Sequence, residues 1–148
     1  MRHDLIIKDY AESIGCGWMY EQWQMANVRA DKRSVKYPLC VMVTPAAGDF
    51  DLWKGSGVVD RPNILLAFLM PVDRHDYNGK ENEPNIDAMK RKALQMLKCI
   101  NEGGVYFPVS GNVHYQVIFH KLDRDLTGIA IELTLNPMNY ECLPDADA

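Results

Sequence analysis

Val113-His-Tyr-Gln-Val-Ile-Phe-His-Lys-Leu-Asp-Arg-Asp-Leu-Thr-Gly-Ile-Ala-Ile-Glu-Leu-Thr-Leu-Asn136 alternates apolar and polar residues in two blocks. Val113, Tyr115, Val117 and Phe119 share one face of a period-two strand. Ile129, Ile131, Leu133 and Leu135 repeat the pattern after a charged connection, Asp123-Arg-Asp125, and a glycine, Gly128. The reading is a β-hairpin with one buried face, on which Val117, Phe119, Ile131 and Leu133 point to the core.

Upstream of this hairpin the period changes. Ile86, Met89, Ala93, Leu94, Met96, Leu97 and Ile100 follow helical spacing, with Lys90, Arg91, Lys92, Gln95 and Lys98 between them. Pro84 suits the first turn and Gly103-Gly104 ends the helix, giving about four turns that cover one face of a sheet. Asn63 to Val72 is continuously apolar, as a central strand covered on both faces must be. Tyr37 to Pro45 reads as a second strand, bracketed by prolines that cannot donate to a ladder.

From Trp18 the chain again alternates. Met19, Trp23 and Met25 lie on one face, and Trp18, Tyr20, Gln22 and Gln24 on the other, which suits a half-exposed strand. Leu5 to Ile14 suits a short amphipathic helix stopped by Gly15 and Gly17. The connections are a charged segment, Asn27 to Lys36, a Gly- and Asp-rich loop, Ala46 to Pro62, with room for short extended pieces around Trp53, and a polar loop, Asp73 to Glu83. This order predicts an α+β fold. Its single mixed or antiparallel sheet ends in a C-terminal β-hairpin and is covered by one main helix and a short N-terminal helix. Residues 1–143 make one domain, and 144–148 a disordered tail.

Composition limits the function classes. The 148 residues are 47% hydrophobic and 24% charged, ordinary for a globular domain, and the net charge of -4 disfavours binding along a phosphate backbone. The basic clusters Arg29, Lys32, Arg33, Lys36 and Lys90 to Lys92 read first as solvated faces, and no sequence-specific nucleic-acid partner is expected. The longest apolar run, Ile64 to Met70, is far short of the ~20 residues that cross a bilayer, so no membrane partner is expected either. The N-terminus lacks the apolar core of a secretory signal, which makes the cytoplasm the default compartment.

Candidate chemistry is sparse. Cys16, Cys40, Cys99 and Cys142 are scattered without a Cys-x-x-Cys pair and read as reduced thiols. Asp73, His75 and Asp76 bring two carboxylates and an imidazole into one loop, the residue types of general acid/base catalysis, but they read first as a solvated loop. His114 and His120 share a strand face but stand ~20 Å apart, too far to ligate one metal. No phosphate-binding loop or nucleophile elbow is present, and no enzyme activity, metal or other cofactor is expected. Trp18 and Trp53 stand beside glycines in segments that the pattern does not bury well, so each is either an interface anchor or the top of the core.

Tyr37-Pro-Leu-Cys-Val-Met-Val-Thr-Pro45, the apolar strand Asn63 to Pro71, the helix Ile86 to Ile100 and, above all, Asp125-Leu-Thr-Gly-Ile-Ala-Ile-Glu-Leu-Thr-Leu135 carry a resemblance. The chain resembles the tail terminator, or tail completion, proteins of long-tailed bacteriophages and prophages of Bacteroides-type bacteria. The resemblance implies a virion structural protein, made in the bacterial cytoplasm, that forms a homo-oligomeric ring. That ring caps the tail tube and contacts tail-tube and head-tail connector proteins. Ring contacts are then expected at Trp18 and, from the two long loops, at Trp53, Asp73, His75 and Tyr77. The alternatives are a small metal-dependent or small-molecule enzyme using the Asp73 to Asp76 loop, and a free adaptor domain.

Overall fold

In chain order the elements are α1 (His3–Ser13), β1 (Gly17–Glu21), β2 (Leu39–Val43), β3 (Ala47–Trp53), β4 (Gly57–Pro71), α2 (Glu83–Glu102), β5 (Tyr115–Lys121), β6 (Leu126–Thr134) and β7 (Glu141–Cys142). They come from a computed structural model that describes residues 1–22, 35–44, 46–53, 55–71, 83–121 and 126–146. Among the described residues, seven strands form one mixed sheet with the central order β1-β2-β4-β6-β5. Only the β1–β2 pair is parallel. The fold is α+β, with the sheet covered on one face by two helices.

The uninterrupted apolar run of β4 has a simple cause: the strand is covered on both faces. Ile64, Leu66 and Phe68 join Ile129, Ile131 and Leu133 of β6 in a cluster under α1 and α2. Ala67 and Leu69 instead join Leu39, Val41, Met19, Ile118 and Leu126 on the opposite face, with Val35 and Tyr37 packed against them. β2, buried at all five positions, divides between the same two clusters, as alternation requires.

α2 presents Ile86, Met89, Ala93, Met96 and Ile100 to the sheet, and α1 presents Ile7 and Ala11. Gly15 and Gly104, just beyond the two helix ends, have positive φ values of 86° and 76°, which side chains with a β-carbon resist. Leu94, counted with the apolar stripe by spacing, faces away from the core and is 65% exposed.

Two features of the sheet correct the sequence reading. The Gly- and Asp-rich stretch Ala46 to Pro62 is not a loop: β3 pairs antiparallel with the first half of β4, from Ala47↔Asn63 to Trp53↔Gly57, as a β-hairpin arm. Asn63 pairs with Ala47 on one side and Thr134 of β6 on the other. β3 therefore lies on the β2 side of β4, and β7, paired to Gly57 and Val58, on the β6 side.

The second correction concerns the C-terminal hairpin. Ile131 and Leu133 are buried as expected, but Val117 is 45% exposed and Tyr115 50%. Their face is the helix side, set by Val117↔Ile129 and Tyr115↔Ile131, yet β5 lies at the sheet edge, beside α2 rather than beneath it. Among the described side chains of β5, the one that enters a core is Ile118, on the other face. The side chain of Phe119 and the strand extension through Trp23 and Met25 lie outside the described residues.

Thr127-Gly128, read as hairpin entry, does more specific work. The Thr127 hydroxyl donates to the Ile118 carbonyl at 2.8 Å, next to the irregularity in β5–β6 pairing. Gly128 is not among the positive-φ glycines; a β-carbon there would run into the Phe68 backbone carbonyl. Glycine lets β4 and β6 approach at that point.

Candidate interaction surface

The β3–β4 arm extends the sheet past the end of β2, and its outer strand carries unusual side chains for an uncovered position. Phe50 is 75% exposed, Leu52 66% and Trp53 54%. Register assigns them to faces. Phe50 pairs with Asp60 and Leu52 with Val58, positions that alternate in phase with Ile64, Leu66 and Phe68, so both lie on the helix side of the sheet. Trp53 pairs with Gly57 and faces the other way, where its ring stacks on Tyr140 at 5.9 Å with a 15° interplanar angle. Among the described residues no strand pairs with the outer edge of β3.

Side-chain contacts tie the arm to its neighbours along its length. His3 of α1 places Nδ1 2.7 Å from the Tyr106 hydroxyl and Nε2 3.2 Å from an Asp60 carboxylate oxygen. Both contacts are satisfied when the neutral ring accepts from Tyr106 at Nδ1 and donates from Nε2 to Asp60. Burial pushes the His3 pKa down; Asp60 opposes that shift without reversing it. Tyr106, fully buried, has its hydroxyl pKa raised by the same loss of solvent. On the opposite face Arg61 pairs with Asp51 at 3.0 Å, and Arg61 Nε donates to Asn136 at 2.9 Å. The α-amino group of Met1 meets Glu141 of β7 at 2.8 Å. The arm is thus tied to α1, to the segment after α2 and to the C-terminal segment.

A second apolar surface lies at the other end of the sheet. Between α2 and β5 runs a groove of about 620 Å³, floored by Val113, Tyr115, Ile129 and Ile131 and walled by Leu94 and Leu97. Lys90 and Lys98 stand at its rim with Glu102, and the Lys90 ammonium sits 5.1 Å above the Tyr115 ring. β5 is the terminal strand of the described sheet, and among the described residues no strand pairs with its outer edge.

Of the residues singled out from sequence, Trp53 stands on the arm, while Trp18 is half-buried on β1 and packs against the helix-side core. Asp73, His75, Asp76 and Tyr77 lie outside the described residues. Phe50 and Leu52 were missed, although Asp49-Phe-Asp-Leu52 alternates at the strand period, a signal masked by flanking glycines and acids. Cys16 and Cys40 are buried free thiols, and desolvation raises both pKa values, so neither is poised as a nucleophile. Among the described residues no group of three His, Cys, Asp or Glu side chains could hold a metal ion. No helix among them is long and apolar enough to cross a membrane. A scan against protein-family models finds no match to the chain, and a search of curated proteins finds none either.

Proposed function

We propose that the protein is a virion structural subunit of the tail terminator class, forming a ring that caps the tail tube of a long-tailed phage and joins it to the head. The observation that carries the reading is the arm. The β3–β4 arm bears Phe50, Leu52 and Trp53 exposed on its outer strand, and large exposed apolar groups of this kind are characteristic of surfaces that another protein covers. Its position supports the same reading, since the arm leaves the sheet at one end and can reach the next copy head to tail, a contact that closes into a ring when the rotation per subunit divides a full turn. The segments that resemble tail terminators form the structural frame here: β2, β4, α2 and β6.

In this reading the subunit performs no chemical step. Its work is assembly, its partners are its own copies, the tail-tube protein and the head-tail connector, and it acts in the bacterial cytoplasm before becoming part of the virion. The test is to mix purified protein with its own tail-tube protein and examine the tubes by electron microscopy. Rings seated on tube ends are expected. Bare ends at every protein ratio would show that the terminator role is wrong.

A further inference from the structure

We infer that the apolar groove between α2 and β5 receives strand β3 of a second copy of this chain, which pairs antiparallel with the open edge of β5. The inference rests on the ring reading and names the contact that would close the ring. Both surfaces end in a strand edge that, among the described residues, no strand pairs, and both carry an exposed apolar pair two residues apart on the helix side: Phe50 and Leu52 on β3, Tyr115 and Val117 on β5. Strand addition puts main-chain hydrogen bonds on the two edges and side chains into the adjoining pockets. A β3 added in this sense sets Phe50 and Leu52 beside Tyr115 and Val117, over the mouth of the groove.

The direction of pairing follows from topology. β3, β4, β6 and β5 are successively antiparallel, so β3 and β5 run in opposite directions within one subunit. Copies related by rotation about a ring axis keep their helix faces in one sense. When the β3 edge of one meets the β5 edge of the next, the two strands are therefore antiparallel. Parallel pairing would turn alternate copies over, which a cyclic ring does not allow.

Charge favours the same approach. The arm from Ala47 to Asn63 carries Asp49, Asp51 and Asp60 against Lys54 and Arg61, a net charge of -1, while the groove rim carries Lys90 and Lys98 against Glu102. Asp49 and Asp51 emerge on the face away from the groove, so these charges steer the encounter rather than form pairs across it.

The contact is tested by disulfide trapping in full-length protein whose more accessible native thiols are removed by Cys99→Ser and Cys142→Ser. Leu52→Cys and Tyr115→Cys are made in separate chains, and Phe50→Cys with Val117→Cys is a second pair in the same antiparallel register. Mild oxidation of an equimolar mixture, with tail tubes present, is expected to give a cross-linked dimer, whereas either chain alone stays monomeric. A chain carrying both cysteines should give a ladder ending at the closed ring. Dimers from a single variant alone would mean a two-fold contact and overturn the inference. Capped tubes without cross-linking of either pair would overturn it while leaving the terminator role standing. A ladder without capping would do the reverse, and neither ladder nor capping would remove both.

Discussion

Single residues decide how the arm and the sheet are fixed. His3 is buried against Tyr106 and Asp60, and loss of solvent holds its pKa below the ordinary 6.5, so the folded protein prefers the neutral ring. The unfolded chain then takes up a proton first as the solution is acidified. Stability from this site is complete above about pH 6.5 and falls as the pH drops from there toward the lower folded value. Urea midpoints should decline over that interval in wild type, and His3→Phe, weaker at neutral pH for want of its two hydrogen bonds, should lose the slope. Gly128 is the other decisive residue. Gly128→Ala forces a β-carbon against the Phe68 carbonyl and should cost about 1–3 kcal/mol in denaturant unfolding, as overpacking does when the backbone must shift. An alanine variant as stable as wild type would show that the strands part there without cost.

At the scale of elements, burial sorts residues that composition treats alike. Met96 is fully buried under α2, whereas Leu94, two residues away, lies 65% exposed beside the groove. Met96→Ala should cost ~2–5 kcal/mol and Leu94→Ala within about 0.5 kcal/mol, measured by chemical denaturation. The same contrast holds on β6: Leu133→Ala should cost ~2–5 kcal/mol and its exposed neighbour Thr134→Ala much less. Equal losses within either pair would mean that the face is assigned wrongly. The buried face of β6 and most of the α2 stripe were legible in sequence because helix and strand periods differ, whereas Leu94, counted with that stripe by spacing, was misplaced. The exposure of β5 was not legible. A helix about 10 Å wide spans roughly two strands set ~4.8 Å apart, and α2 lies over β4 and β6.

For the whole molecule, the arm separates folding from assembly. Phe50 and Leu52 project into solvent, so Phe50→Ser with Leu52→Ser should change unfolding free energy by no more than about 0.5 kcal/mol per site. In the proposed role the same double variant should fail to cap tail tubes. Trp53→Ala bears on a different face, where Tyr140 already stacks on the ring. If Trp53 anchors a neighbour the variant should cap tubes poorly, and if it caps as well as wild type, only the assignment of Trp53 as an anchor fails. A double variant that unfolds cooperatively at lower denaturant by several kcal/mol would show instead that the arm belongs to the core.

The sequence by itself determined what depends on local period and chain stiffness: the α+β class, the helix from Ile86 to Ile100 with its glycine stop, the doubly covered strand at Asn63, and the buried face of β6 at Ile131 and Leu133. Tertiary structure decided what depends on which edges meet. It turned Ala46 to Pro62 into a paired arm, because β4 runs on past β2 and offers Gly57 to Asn63 as a template for β3. It also joined His3 to Tyr106 and Asp60 and set β5 at the rim of the sheet. Those outcomes rest on contacts between residues far apart in the chain, whose pairing free energy is written in no local pattern.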